Sequence, residues 1–296
     1  MTNKKIIILG AGITGRMAKL LLEEAFLYEK QSNSSTTINA AYGPNYLKTP
    51  IEILQCSPVV VNSTIDDNAP SYKTIKNYKI KKCSDLELLP NEVDKLTYGD
   101  IKQFQSVQTE YTFNIPLVKV NYNCSVTSIN LHDKLIKFKD TTCVHYDILI
   151  ITIPLILIMK LIGLSELYPD DSAKLGFFKH RPIYIRTEHT NVYNNEVHIN
   201  YITDSDNPFY RVTKYKKFIF SESLYKIKNS VKLYPGKIYS NKFTVDLVND
   251  LKDYDVHCFG RYSTWDTNEN IHQTYNKLTK FVNTYKGGNY VFKFKR

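Results

Sequence analysis

Residues 4–29 read KKIIILGAGITGRMAKLLLEEAFLYE. The apolar run Ile6-Ile7-Ile8-Leu9 passes straight into Gly10-Ala11-Gly12-Ile13-Thr14-Gly15, a helix-forming segment follows, and a second short run over 25–28 ends in Glu29. A strand, a glycine turn, a helix and a strand closed by an acid make the unit that holds a dinucleotide. In this reading Gly10 permits the tight turn, Gly12 lets backbone amides approach a pyrophosphate, and Gly15 lets the helix pack on the strand. Ala11, Ile13 and Thr14 complete the turn, and the helix N-terminus adds free N–H groups and partial positive charge. Glu29 stands 19 residues after Gly10, where a carboxylate accepts from ribose hydroxyls. An acid there favours a bare 2′-OH, hence FAD or NAD over NADP. The expected fold class is α/β, a Rossmann-type βαβ domain with a second, β-rich substrate domain. The cofactor domain is expected over 1–50, 124–165 and 256–296, and the β-rich cap over 51–123 and 166–255.

Bulk properties set the frame. A chain of 296 residues suits one large or two closely joined domains with an ample core. Hydrophobic content of 43% against 23% charged excludes a disordered chain. Cys56, Cys83, Cys124, Cys143 and Cys258 are odd in number and scattered, without a C-x-x-C pair. They fit a reduced, cytoplasmic setting better than a disulfide framework or a zinc site, and the histidines show no metal spacing. No secretory leader is expected. The longest apolar stretch, 148–164, carries Thr152, Pro154 and Lys160 and is too short to span a bilayer, so no membrane partner is expected. The net charge of +10 suits an acidic partner, either a small phosphate-bearing substrate or nucleic acid. Lysines cluster at 72–82, 211–217 and 293–296, with tyrosines between them in the first two. A solvated strand face is the plainer reading of any single cluster; aromatic interleaving keeps nucleic acid in view. Nothing in the sequence fixes an oligomeric state.

Along the chain, 30–37 reads as a polar loop and 42–50 as a turn-rich segment. Residues 51–122 hold short strand-like runs at 59–61, 72–82 and 111–120, with no convincing long amphipathic helix. A meander is expected over 124–153, with strands around 126–129 and 135–138 before the buried strand that begins at Ile148 and leads into an apolar helix. Further strands over 183–220 give a second sheet, and a helix over 270–286 closes the chain.

Four separated segments carry a family resemblance. YGPNYLKT (42–49) looks like the Tyr-Gly-Pro-His…His-Thr segment of UDP-galactopyranose mutases. NPFYRVTKYKKF (207–218) is similar to that family's Pro-Tyr-Thr-Arg…Lys-His-Phe segment, with Pro208, Arg211, Lys216 and Phe218 in register, and NYITD (200–204) precedes it. FGRYSTWDTNENI (259–271) resembles the late Gly-Arg…Asp…Asp segment, and YDILIITIP (146–154) is shared with the wider amine-oxidase-like flavoproteins. The resemblance implies an extended FAD, with its pyrophosphate on the glycine turn and its adenosine ribose on Glu29. Lys30, Val126 and Pro154 complete the implied cofactor contacts, and Gly260, Arg261, Asp266, Asn268, Asn270 and Ile271 lie at the flavin end. It implies a substrate held by Arg261, Arg211, Tyr42 and Tyr201. Asn45, Lys48 and Arg261 then sit at the reacting face, Asn45 and Lys48 where the family carries histidines. Without an imidazole, oxidoreductase-type chemistry at the flavin N5 on a phosphate-bearing, nucleotide-linked substrate ranks first. It needs only a positioned substrate, the flavin and a base or anion clamp. A mutase-type isomerase, flavin-dependent modification of a DNA base or adduct, and a non-catalytic dinucleotide-binding scaffold are the alternatives.

Overall fold

The computed structural model describes residues 4–32, 46–66, 104–163 and 180–287, together with Thr74, Lys76, Tyr78 and Phe178. In chain order the strands are β1 (Ile6–Leu9), β2 (Phe26–Tyr28), β3 (Tyr46–Leu47), β4 (Gln55–Ile65), β5 (Ser106–Asn114), β6 (Val126–Asn130) and β7 (Leu135–Phe138). They continue with β8 (Cys143–His145), β9 (Ile148–Ile151), β10 (His180–Tyr201), β11 (Arg211–Ser223), β12 (Ser230–Ile238) and β13 (Val256–Cys258). The helices are α1 (Ile13–Leu21), α2 (Leu155–Ile162), α3 (Lys242–Asp250), α4 (Arg261–Thr264) and α5 (Ile271–Tyr285).

β1 and β9 are four-residue apolar runs buried at every position, as strands covered on both faces must be. They lie in a parallel sheet of order β13-β9-β1-β2. Residues 119–124 extend it past β2: Tyr28 bridges Asn121 in parallel, and the Cys124 amide donates to the Glu29 carbonyl at 2.9 Å. Strand alternation sends Ile7, Leu9, Leu149 and Ile151 to one face, where α2, α3, the β6-β7-β8 meander and Trp265 cover them. Ile6, Ile8, Ile148 and Ile150 point to the other face, under α1, α5 and residues 47–54. Each such aliphatic side chain contributes about 1.5–3 kcal/mol by leaving water. The second sheet runs β11-β10-β4-β5-β3, with β12 pairing β10. Its β10–β4 junction is parallel, while its other pairs are antiparallel. Two short pieces join the sheets: β3 pairs with β5, and the residues after it meet α5.

Several expectations are redrawn. Thr74, Lys76 and Tyr78 are helical rather than strand-like. Thr74 and Tyr78, four residues apart, are both buried while Lys76 is exposed, which is one face of a helix. The strand expected over 111–120 stops at Asn114, two residues before Pro116, whose nitrogen has no hydrogen to give a ladder. β10 runs unbroken through 22 residues where separate runs were expected. β12 and α3 were not anticipated, and α3 packs with the parallel sheet through Leu247. Among the described residues no helix is long and apolar enough to cross a membrane.

Candidate functional site

The carboxyl ends of the four parallel strands converge on one crevice. At the end of β1, Gly10 adopts φ +98°, and a Cβ there would fall 2.6 Å from Ile153 and 2.9 Å from Thr152. Gly15 faces the Gly10 carbonyl so closely that a Cβ would lie 1.8 Å from its oxygen. Thr152 ties the end of β9 to the same turn, its hydroxyl reaching the Leu9 and Gly10 carbonyls at 2.9 Å each. Pro154 follows directly and caps α2. Gly12 differs from its neighbours: it begins α1 with no side-chain cap, and a Cβ on it would meet nothing within 4 Å. Among the described residues there is thus room for a side-chain carbon beside the first turn of α1, and that turn holds no acid to answer the charge of its amides. Ile13 and Thr14 belong to this turn.

Glu29 closes the crevice on the β2 side. It accepts from the Ala11 amide at 2.8 Å through Oε2 and from the Gln31 amide at 3.0 Å through Oε1. An ionised carboxylate has about four acceptor positions, so capacity remains for hydroxyl donors. Arg16 holds the other end of the same residue, its Nε donating to the Ala11 carbonyl at 2.8 Å while its Nη2 reaches the Tyr122 hydroxyl at 3.0 Å. Lys30 is exposed beside Glu29. Val126 lies in β6, packed against the core with Phe138 opposite.

On the far side, β13 delivers Gly260 against α1. Gly260 adopts φ +89°, and a Cβ there would sit 2.7 Å from the Thr14 hydroxyl. The sequence-distant Gly-Arg segment and the glycine turn are thus in contact. Glu269, absent from the sequence-based candidates, holds this arrangement. Its side chain has no solvent exposure and accepts from the Gly260 amide at 2.8 Å, the Thr264 hydroxyl at 2.9 Å, the Thr274 hydroxyl at 2.8 Å and the Lys277 ammonium at 2.6 Å. Burial alone would raise its pKa; Lys277 and the other three donors together hold it below the ordinary carboxylate range. Asp266 and Asn268 form the turn between α4 and α5, the Asn268 amide donating to Asp266 at 2.9 Å. Asn270 caps α5 in a box with Gln273, and Ile271 packs into the core beneath. Arg261 is exposed; its Nε donates to the Glu269 carbonyl at 3.1 Å, and its terminal nitrogens meet no acceptor among the described residues.

A second group of side chains sits on the six-stranded sheet. Glu222, nearly buried, accepts from the Tyr210 hydroxyl at 2.6 Å and from Arg211 Nε at 2.7 Å, with Arg211 Nη2 on the same oxygen. Arg211 is therefore neutralised, where the sequence reading left it open to a phosphate. Burial, then the Glu222 charge, drives the Tyr210 phenol well above its ordinary pKa. Tyr201 lies edge-on to Tyr78 and Phe104, ring centroids 5.2 and 4.7 Å away. Burial pushes Tyr46 up to about 12, with Arg211, Tyr201, Glu110 and Glu222 all acting on it. Glu110 is buried, which raises its pKa, and Lys48 partly offsets that rise.

The two groups adjoin. Lys48 is exposed directly after β3, and the next residue, Thr49, bonds His272 at the start of α5 through its hydroxyl and its carbonyl, both at 2.8 Å. Tyr262 next to Arg261 responds to burial first, then to the charges of both Arg261 and Glu222. Of the expected substrate-side residues, Lys48, Arg261, Arg211 and Tyr201 thus border one region. Tyr42 and Asn45 lie outside the described residues. Glu222 carried a signal that could have been read, an acid inside the apolar strand run FIFSES. Among the described residues, no group of three His, Cys, Asp or Glu side chains could hold a metal.

No family model matches the sequence, and no curated protein matches it. The structure is similar to that of a reduced UDP-galactopyranose mutase, with a TM-score of 0.64 at 11% identity over 97% of this chain and 94% of that one. It is also similar to a CLA-producing fatty acid isomerase from P. acnes, with a TM-score of 0.59 at 10% identity over 96% of this chain and 99% of the other. At these identities the likeness is one of fold.

Proposed function

We propose that this chain is a FAD-dependent enzyme of the Rossmann type that acts on a phosphate-bearing substrate. The observation that carries the reading is the contact between Gly260 and Thr14, with Glu29 across the same crevice. It joins the ends of β1, β2 and β13 where open α/β sheets take their ligands. The residues present fit the group. The open space at Gly12 admits a diphosphate against the uncapped amides of α1, and Glu29 has acceptor capacity left for ribose hydroxyls. The α5 N-terminus at Asn270 and Ile271 provides positive potential at the far end. Bound there, FAD would supply two-electron chemistry.

The chain's own residues then divide the work. Arg261, with free terminal nitrogens, is the anion clamp, its planar fork suited to two phosphate oxygens. Lys48, exposed after β3, adds a second cation. Arg211, bound to Glu222 with the buried Tyr210 bracing that carboxylate from behind, serves as a fixed wall with Tyr201 and orients the substrate by shape. Burial raises the pKa of Glu110, whose charge acts on Tyr46. The galactopyranose mutase reaction is the second reading, favoured by the fold likeness to that enzyme.

The test is to purify the chain, release any cofactor by denaturation and identify it by mass, then titrate apoprotein with FAD. FAD in the extract, or saturable uptake that weakens at least tenfold in Glu29→Ala, is the expected result. A colourless protein that takes up no FAD refutes the proposal.

A further inference from the structure

The strand that brings Arg211 to the site continues into a basic, bulged stretch of the β10–β11 pair. β10 and β11 pair out of step there: His189 faces Phe218, Asn194 faces Lys216 and His198 faces Lys214. Five residues on β10 match two on β11 and then four match two, so β10 carries extra residues that must bulge outward. Val192 and Tyr193 lie in that bulge and are 71% and 56% exposed, opposite Lys216 and Lys217. Lys216 is itself left-handed, φ +53°. That conformation breaks the strict alternation of a strand, so Lys216 and Lys217 are both exposed, as is Lys214. Lys216 lies over the Tyr215 ring at 5.3 Å.

None of these three lysines meets a carboxylate among the described residues. The nearby acids have partners of their own. Glu196 accepts from Asn62 at 2.6 Å and faces His198 at 3.5 Å, and Glu188 pairs with Arg186 at 3.1 Å. Unpaired cations interleaved with exposed aromatic faces match a phosphodiester chain with stackable bases. The stretch from Arg211 to Lys217 is seven residues, six steps or about 20 Å of strand, the span of about six phosphates along one strand of a duplex. An anionic membrane would ask for a wider apolar surface, and Val192 is the one exposed aliphatic side chain of the bulge.

We propose that the bulged middle of the β10–β11 pair is a docking track for single-stranded nucleic acid. Lys214, Lys216 and Lys217 hold the phosphates, and Tyr193 stacks on a base. This extends the proposed function by naming its phosphate-bearing substrate as a polynucleotide, and it rests on that reading only for the link to Arg261; the docking itself needs no cofactor.

The test is fluorescence anisotropy of a labelled 20-nucleotide oligo(dT) with the full chain, titrated from low to moderate salt. Lys214→Gln/Lys216→Gln/Lys217→Gln is expected to bind more weakly, with a log K against log salt slope shallower by about 2, since each single-strand contact contributes about 0.7. Tyr193→Ala is expected to lose about fivefold, the low end of base stacking. A control with three exposed lysines removed elsewhere, Lys139→Gln/Lys242→Gln/Lys280→Gln, should bind as the parent does. No binding at the lowest salt, equal weakening in the control, or binding to phosphatidylserine vesicles without binding to the oligonucleotide overturns the proposal. FAD uptake reads the cofactor site separately: a lysine variant that loses docking and keeps uptake supports this inference, whereas a parent protein that takes up FAD and binds no oligonucleotide refutes it and leaves the proposed flavoenzyme standing.

Discussion

Glu269→Gln is the most informative single substitution in the crevice. The carboxylate it removes is fully enclosed and accepts four hydrogen bonds. Glutamine keeps the shape but offers one acceptor oxygen and turns an NH2 group toward the remaining donors. The Thr264 and Thr274 hydroxyls can rotate to accept from it; the Gly260 amide and the Lys277 ammonium cannot. Hydrogen bonds to a charged group contribute about 1.5–3 kcal/mol each. The Lys277 side chain is 48% exposed, so its share is closer to that of a surface pair, about 1 kcal/mol or less. Gly260 and Thr274 share Oε1 while Thr264 and Lys277 share Oε2, so the amide oxygen can keep the Gly260 bond only in uncharged form while its NH2 faces Lys277; the net loss, divided between the two, is about 2–4 kcal/mol. With an unfolding entropy of about 2.1 cal/mol/K per residue, this lowers the melting temperature by about 3–6 °C. The folded-state pKa of Glu269 lies below its ordinary 4.5. Its stabilisation is therefore complete above that value and is lost as pH falls through the lower folded-state pKa. Calorimetry of both proteins at pH 7 and at stepped pH values below 4.5 should show a full gap that closes on acidification. A gap under about 1 °C at pH 7, or one that stays constant with pH, would show that the Glu269 cluster does not hold Gly260 in place.

Two further substitutions separate packing from ligand space. Gly12→Ala should leave the melting temperature within about 1 °C, because its Cβ meets nothing and an N-cap Gly→Ala change costs only about a few tenths to 1 kcal/mol, while FAD or ADP affinity in calorimetric titration falls at least tenfold. Gly15→Ala should instead fail to fold or lose more than about 3 kcal/mol in urea denaturation, since its Cβ would lie 1.8 Å from the Gly10 carbonyl oxygen; a well-folded Gly15→Ala protein contradicts the close approach. Tyr210→Phe strips a 2.6 Å bond from the nearly buried Glu222 and is expected to cost about 1–3 kcal/mol. An unchanged urea midpoint would mean that Glu222 is wet in solution.

The residue string by itself determined the local features. A four-residue aliphatic run admits only a strand covered on both sides, and glycines at 10, 12 and 15 between that run and a helical segment admit one kind of turn. The place of Glu29 just after the second strand was legible from spacing, because the intervening helix fixes where that strand ends. The meander, the buried strand at Ile148 and the closing helix were legible for the same reason: each follows from a period of 2 or 3.6 within a dozen residues. What only the tertiary structure decided was the pairing of charges across long separations. Arg211 reads as an anion clamp until the β10–β11 pairing sets Glu222 beside it, and Arg261 becomes the free guanidinium by that difference. Glu269 reads as a loop acid until β13 and α5 fold around it and supply four donors. The helical placement of Tyr78 follows from burial against Phe104 and Tyr201, neither near it in sequence. Periodicity records which face of an element is apolar; it carries no record of which element comes to lie against that face, and buried charges take their meaning from that neighbour.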